Sequence, residues 1–271
     1  MKQLFLLLVT ILSSVVCHAD EQAYFDLMGE ADKAIADGDW ATAESKLLEA
    51  LHSEPANPSN VLLMSNLGIV RFNMGQDSLA LETLNHAVAM APASVTIREN
   101  RARVLTGMGD LEGARADYER LIEMDSTLLT PHFYRGVLAL TANDTVTART
   151  DFEQLVRLDP ESFEANFGMA SLACHTGHYA ESLPYLNAVI RLDPQPEYYA
   201  QRAFSRLQTD DLGGASEDIQ AGLELDPMDG ELYLYRAALN KMRFRPDDSL
   251  KDAERALQLG VHPARVAATL K

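Results

Sequence analysis

Cysteine is scarce in this chain: 271 residues hold only Cys17 and Cys174. Once the N-terminal segment is removed, as argued below, Cys174 stands alone, so no internal disulfide can form and packing must hold the fold. Long apolar runs are missing after the first twenty residues, and none approaches the roughly 18 to 20 apolar residues of a membrane-crossing helix. Basic residues are outnumbered, 23 Lys and Arg against 40 Asp and Glu, for a formal charge of -17. No Lys/Arg cluster interrupts that excess, which argues against a nucleic-acid partner. The acidic surface is either simply solvated or suited to a basic partner or cation. Catalytic signatures are absent as well: no P-loop, GxSxG, HExxH or GxGxxG stands in a plausible context, and no cofactor is expected.

The first residues read MKQLFLLLVTILSSVVCHAD. Lys2, an apolar run from Leu4 to Ile11 continuing through Val15 and Val16, and small residues ending at Ala19 make 1–19 a secretory signal peptide, cut after Ala19. Cys17 offers an alternative, since a cysteine behind the apolar region can become the lipidated first residue of a lipoprotein. The bulky Val16 argues against it. A bacterial periplasm is the expected location, with full secretion, a eukaryotic lumen or a lipid anchor at Cys17 as alternatives.

Internal periodicity organises the rest. Small residues form two columns: Ala31, Gly68, Ala102, Gly136, Ala170, Ala203 and Ala237, and then Ala43, Ala80, Ala114, Ala148, Ser182, Ala215 and Ser249. Both columns step by 37, 34, 34, 34, 33 and 34 residues. Turn signals lie between them (GDW at 38–40, GQD at 75–77, NDT at 143–145, GHY at 177–179), and most units close on a proline at 55, 92, 160, 194 or 227. Proline lacks the N–H and disfavours helix in the residue before it, so each unit reads helix, turn, helix, breaker. Leu47, Leu84, Tyr118, Phe152, Leu186 and Ile219 are the large residues expected to fill the space between units.

This period, with Gly or Ala in the first helix, a small residue in the second, a large residue four positions on and a closing Asp-Pro, resembles the tetratricopeptide repeat family. The resemblance implies an all-α fold, a right-handed α-solenoid of helix-turn-helix repeats. Seven units start near 24, 61, 95, 129, 163, 196 and 230 and fill 20–262, and 263–271 forms a capping segment. Ser126 and Val261 stand where proline is expected, so the second helices of units 3 and 7 should run on or end less sharply. Pro184 is expected within the first turn of its helix, where a missing N–H costs little.

Arg101, Arg135, Arg202 and Arg236 each precede the small residue of the first helix, and Asp117, Asp151, Asp218 and Asp252 follow sixteen residues later. Unit 1 exchanges the charges, Glu30 with Lys46; unit 2 has Leu67 and Thr83, and unit 5 has Met169 and Tyr185. No unit carries one charge without the other, which points to an ion pair joining the two helices. Arginines reserved for an acidic ligand would need no matched aspartate.

Cys174, His175 and His178 form the most reactive-looking cluster, but it lacks a fourth metal ligand and an orienting third group for catalysis. Carboxylates at 210–211 and 247–248 suit helix capping. Function is therefore expected by resemblance: a non-enzymatic protein-interaction scaffold of the cell envelope that holds a partner's peptide or helix in a concave groove lined by first helices. The alternatives are a lipid-anchored envelope-assembly adaptor and, behind it, a Cys/His metal or thiol site. The resemblance assigns to the groove Phe133, Val137 and Leu140 in unit 4 and Phe167, Ser171 and Cys174 in unit 5, flanked by Phe72 and Phe204. Arg103 is the only basic residue at such positions before Lys241, so a clamp for an acidic peptide end is not indicated.

Overall fold

The structure is a computed structural model in which residues 22–270 are described. The expected signal peptide and Cys17 lie outside the described residues. Among the described residues there are fifteen helices and no strand, and no helix is long and apolar enough to cross a membrane. The described residues divide into two compact bodies, 22–126 and 127–270.

The first body holds three helix pairs: α1 (22–36) with α2 (Trp40–Ser53), α3 (Asn60–Asn73) with α4 (Asp77–Met90), and α5 (Val95–Gly107) with α6 (Leu111–Met124). The second holds four: α7 (Leu129–Thr141) with α8 (Thr145–Leu158), α9 (Phe163–His175) with α10 (Tyr179–Leu192), α11 (Pro196–Gln208) with α12 (Leu212–Leu225), and α13 (Gly230–Met242) with α14 (Pro246–Gln258). A last helix, α15 (Pro263–Leu270), packs Val266 into a cluster with Leu234, Ala253 and Val261. Within each pair we call the first helix A and the second B.

Each A helix ends on a left-handed residue, which turns the chain and satisfies two helix carbonyls. After α5, for example, Gly109 donates to the Thr106 carbonyl at 3.0 Å and Asp110 to Leu105 at 2.9 Å. The next residues start helix B: Asp39, Asp110, Asp144 and Asp211 each accept a backbone N–H three residues on. A carboxylate there satisfies an orphan donor and complements the helix dipole. The left-handed position is filled by Gly four times and by Asn143 and Asp210 once each, but in the last pair by Phe244, at φ 58° and 93% exposed. A Cβ in that conformation is crowded by its own backbone and this ring is out in solvent, so Phe244→Gly should raise stability by about 0.5 to 1 kcal/mol. Chemical denaturation checks this, and a loss of stability would show that the ring makes compensating contacts.

Two helix ends and one proline differ from the sequence reading. α6 stops at Met124 without a proline, because Asp125 turns extended (φ -152°) while still donating to Leu121. α14 stops at Gln258, where Gly260 (φ +92°) and Val261 donate to Leu257 and Ala256 in the same two-bond closure as the A helices. Glycine does there what proline does elsewhere. Pro184 is the sixth residue of α10, one turn deeper than expected, and its ring removes the bond that residue 184 would donate to Ala180.

Every member of both small-residue columns is buried. At the two glycines of the first column a large side chain of helix B takes the space that a side chain would need. A Cβ on Gly136 would meet the Phe152 ring at 2.5 Å, one on Gly168 would strike the same ring, and one on Gly68 would meet Leu84 at 2.5 Å. Phe152 is thus wedged between its own A helix and the next, fully buried with Ala148, Leu155, Ala165 and Leu172.

Candidate functional site

Ion pairs frame each helix pair. Arg101 donates through Nε to Asp117 Oδ2 at 2.7 Å and through a terminal nitrogen to Oδ1 at 2.5 Å. Arg135 grips Asp151 in the same two-pronged way at 2.9 and 2.8 Å, and Arg236 grips Asp252 at 2.9 and 2.6 Å. Arg202 reaches both oxygens of Asp218. The four aspartates are buried. Each sits on helix B facing helix A, so the planar fork of the arginine closes the gap between the backbones and is spent within the fold. In the first pair the partners are Glu30 and Lys46, 3.0 Å apart and more exposed.

Three aspartates take a second positively charged or imidazole partner. Arg98 reaches Asp117 at 2.9 Å, His132 reaches Asp151 at 2.8 Å, and Arg206 reaches Asp218 at 3.0 Å; Asn240 donates to Asp252 at 2.9 Å. The sequence reading missed all four. Their signal is that each lies three before or four after the paired arginine, which is the same helix face. Arg71, four after Leu67, likewise reaches Thr83 at 2.6 Å and ties to Glu44 of the preceding pair at 2.9 Å. Where Met169 and Tyr185 replace the ion pair, both line a cavity of about 400 Å³ together with Arg149, His178 and Glu181.

The A helices of the second body carry a run of partly buried aromatic rings. Phe133 of α7 lies 6.1 Å from Phe167 of α9, which stacks on Phe163 at 5.4 Å; both α9 rings meet Tyr198 of α11, at 5.7 and 5.8 Å. Further along, Phe204 of α11 meets Tyr235 of α13 at 5.5 Å and Tyr179 at 5.4 Å. Phe163 and Tyr198 belong to this run although the sequence reading places neither there; Phe163 lies about one turn before Phe167, whereas Tyr198 lies six residues before Phe204. Val137 and Leu140 lie half-buried against the Phe152 cluster, so they serve the core as well as the face. Burial pushes the Tyr198 hydroxyl above its usual range, helped by the charges of Glu197 and Asp193. The Tyr235 hydroxyl is pushed up to about 12, chiefly by burial and then by Glu231.

In the first body, Phe72 lies directly over Gly107, where its ring occupies the space a Cβ would need. Arg103 is near Glu99, whose carboxyl is raised by burial against the pull of Arg103. Ser171 is half-buried on α9.

The Cys/His cluster does not converge. Cys174 Sγ lies 3.5 Å from Ser205 Oγ, which also accepts from Ser182; His175 Nε2 lies 2.9 Å from Asn143 Oδ1; and His178 Nδ1 lies 2.8 Å from Thr176. Among the described residues no three His, Cys, Asp or Glu side chains come together as a metal site. Charge is also less uniform than expected. Residues 230–270 carry seven Lys and Arg against five Asp and Glu, and Arg236, Arg243 and Arg245 line one cavity of about 430 Å³. Arginines two to nine residues apart in sequence form a local cluster only once the turn folds them together.

Comparison with known proteins agrees with this architecture. Two family models described as tetratricopeptide repeat match residues 65–128 and 139–203. No curated protein sequence matches the chain. A tetratricopeptide repeat protein from Parabacteroides merdae, solved by crystallography, is 27% identical over 92% of this chain and 98% of its own, with a TM-score of 0.68. YrrB, described as a TPR protein with an unusual peptide-binding site, is 18% identical over 69% of this chain and 97% of its own (TM-score 0.57). PilW, described as a type IV pilus biogenesis factor, is 14% identical over 80% of this chain and all of its own (TM-score 0.68). At those identities the last two show a shared fold. With its buried small-residue columns, paired helices and matched repeats, this chain belongs to the tetratricopeptide repeat family, whose all-α solenoids of helical repeats serve as scaffolds for protein–protein interaction.

Proposed function

We propose that the chain is a non-enzymatic scaffold of the cell envelope, and that it holds a segment of a protein partner, a peptide or helix, along the aromatic A-helix face of residues 127–271. The observation that carries this reading is the placement of the rings. Phe133, Phe163, Phe167 and Tyr198 touch one another across three successive A helices, yet each is only partly buried while the neighbouring Phe152 is fully buried. Large rings bury much apolar area at a low entropic cost, which suits them to anchor a partner. The peptide-binding site named for YrrB lends general support to peptide recognition by this fold.

Phe133→Ala and Phe167→Ala should each weaken capture of the native partner by tenfold or more, about 1.4 kcal/mol, in pull-downs from the native envelope with circular dichroism to confirm folding. Retention of every partner by both variants would refute the assignment. The envelope setting rests on residues 1–19 and is tested by mass spectrometry of the mature N-terminus. Asp20 indicates a soluble exported protein, whereas a diacylated Cys17 indicates an anchored adaptor.

A further inference from the structure

Resting on that reading, we infer that the segment held along the aromatic face is cationic as well as apolar, carrying Lys or Arg beside its hydrophobic side chains. The reason lies in which charges the face leaves uncompensated. The Lys and Arg residues of α7, α9 and α11 are Arg135, Arg202 and Arg206, and all three are bonded to aspartates of the B helices. Glu164 and Glu197 are the carboxylates of these three helices, each the second residue of its helix. Neither has an ion-pair partner among the described residues. Glu231, at the same place in α13, is by contrast paired with Arg265.

Both glutamates complement a helix N-terminus, which accounts for their presence but leaves their outward charge available. Glu164 lies one turn from Phe167 on the same face of α9, and the charge of Glu197 is felt at the Tyr198 hydroxyl. The charge around them is predominantly negative: residues 127–229 carry sixteen Asp and Glu against six Arg. An acidic segment would be repelled. A Lys or Arg side chain could place its charge beside either carboxylate and over a ring face, and ring faces attract cations.

The test uses the full mature chain and three amphipathic model helices with one apolar pattern, whose polar faces carry Lys, Gln or Glu. Fluorescence anisotropy should find the Lys helix bound about tenfold more tightly than the Gln helix and the Glu helix weakest, with the preference shrinking between about 50 and 500 mM salt. Glu164→Gln/Glu197→Gln should reduce the Lys-over-Gln ratio to about threefold or less. Equal binding of Lys and Glu helices overturns the inference. So does a Lys preference that the double substitution leaves intact, which would mark diffuse attraction to an acidic chain. If Phe133→Ala/Phe167→Ala abolishes binding of all three helices and they had bound alike, the aromatic face stands and its charge preference falls. If that variant changes nothing, or if no helix binds the folded wild-type chain, the face itself is misassigned and both readings fall.

Discussion

Asp151→Ala should destabilise the second body by about 3 to 5 kcal/mol, the cost of removing one partner from a buried ion pair. Asp151 is 0% exposed, and it accepts two bonds from Arg135 and faces His132 at 2.8 Å. Alanine would take away the acceptor of both guanidinium bonds and leave a void where the buried carboxylate stood. Arg135→Met/Asp151→Tyr, the combination this chain uses at Met169 and Tyr185, should cost less by at least about 1 kcal/mol, because it removes both charges together. Urea denaturation of the two variants decides the point. Equal losses would mean that the pair is not coupled and that the spacing of sixteen reflects something other than an inter-helix tie.

Phe152→Ala is expected to cost a similar amount, about 3 to 5 kcal/mol, by emptying the site of a fully buried ring. This ring differs from an ordinary core residue in being gripped by Gly136 and Gly168 from two successive A helices. Its loss therefore unties a repeat from its neighbour, and because repeat arrays open locally the damage should appear as faster amide exchange in α7, α8 and α9. The converse change, Gly136→Ala, should cost about 1 to 3 kcal/mol by overpacking, and part of that should return when Phe152 is also shortened to Leu. Protection patterns and denaturation midpoints measure both. An Ala at 136 that is tolerated beside intact Phe152 would show that the two helices can move apart without penalty.

Much of this architecture is legible in one dimension because the repeat states each rule several times over. A single small residue in a helix means little, but two buried columns with identical steps mean that two backbones approach at every unit. The sixteen-residue spacing of Arg and Asp works in the same way: each unit acts as a control for the others, and units 2 and 5, which lack both members, are as informative as the four that have them. Helix ends were less legible. Ser126 and Val261, standing where proline is expected, point to helices that run on or end less sharply, whereas the backbone closes them with an extended Asp125 and a glycine two residues past Gln258. Different residues can stop a helix by different means, so the absence of one signal did not predict a longer helix.

The sequence by itself determined the helix pairs, the small columns and the matched charges, because each of these depends on residue type at a fixed separation along a helix. Only the tertiary structure decided which further side chains join the aspartates, that the Cys174, His175 and His178 groups turn to separate partners, and that Phe163 and Tyr198 join Phe133 and Phe167. Those outcomes depend on how one helix faces the next. A rotation of a few tens of degrees, invisible to spacing, moves a ring from the core to the open face or a charge from a ligand to its own helix partner.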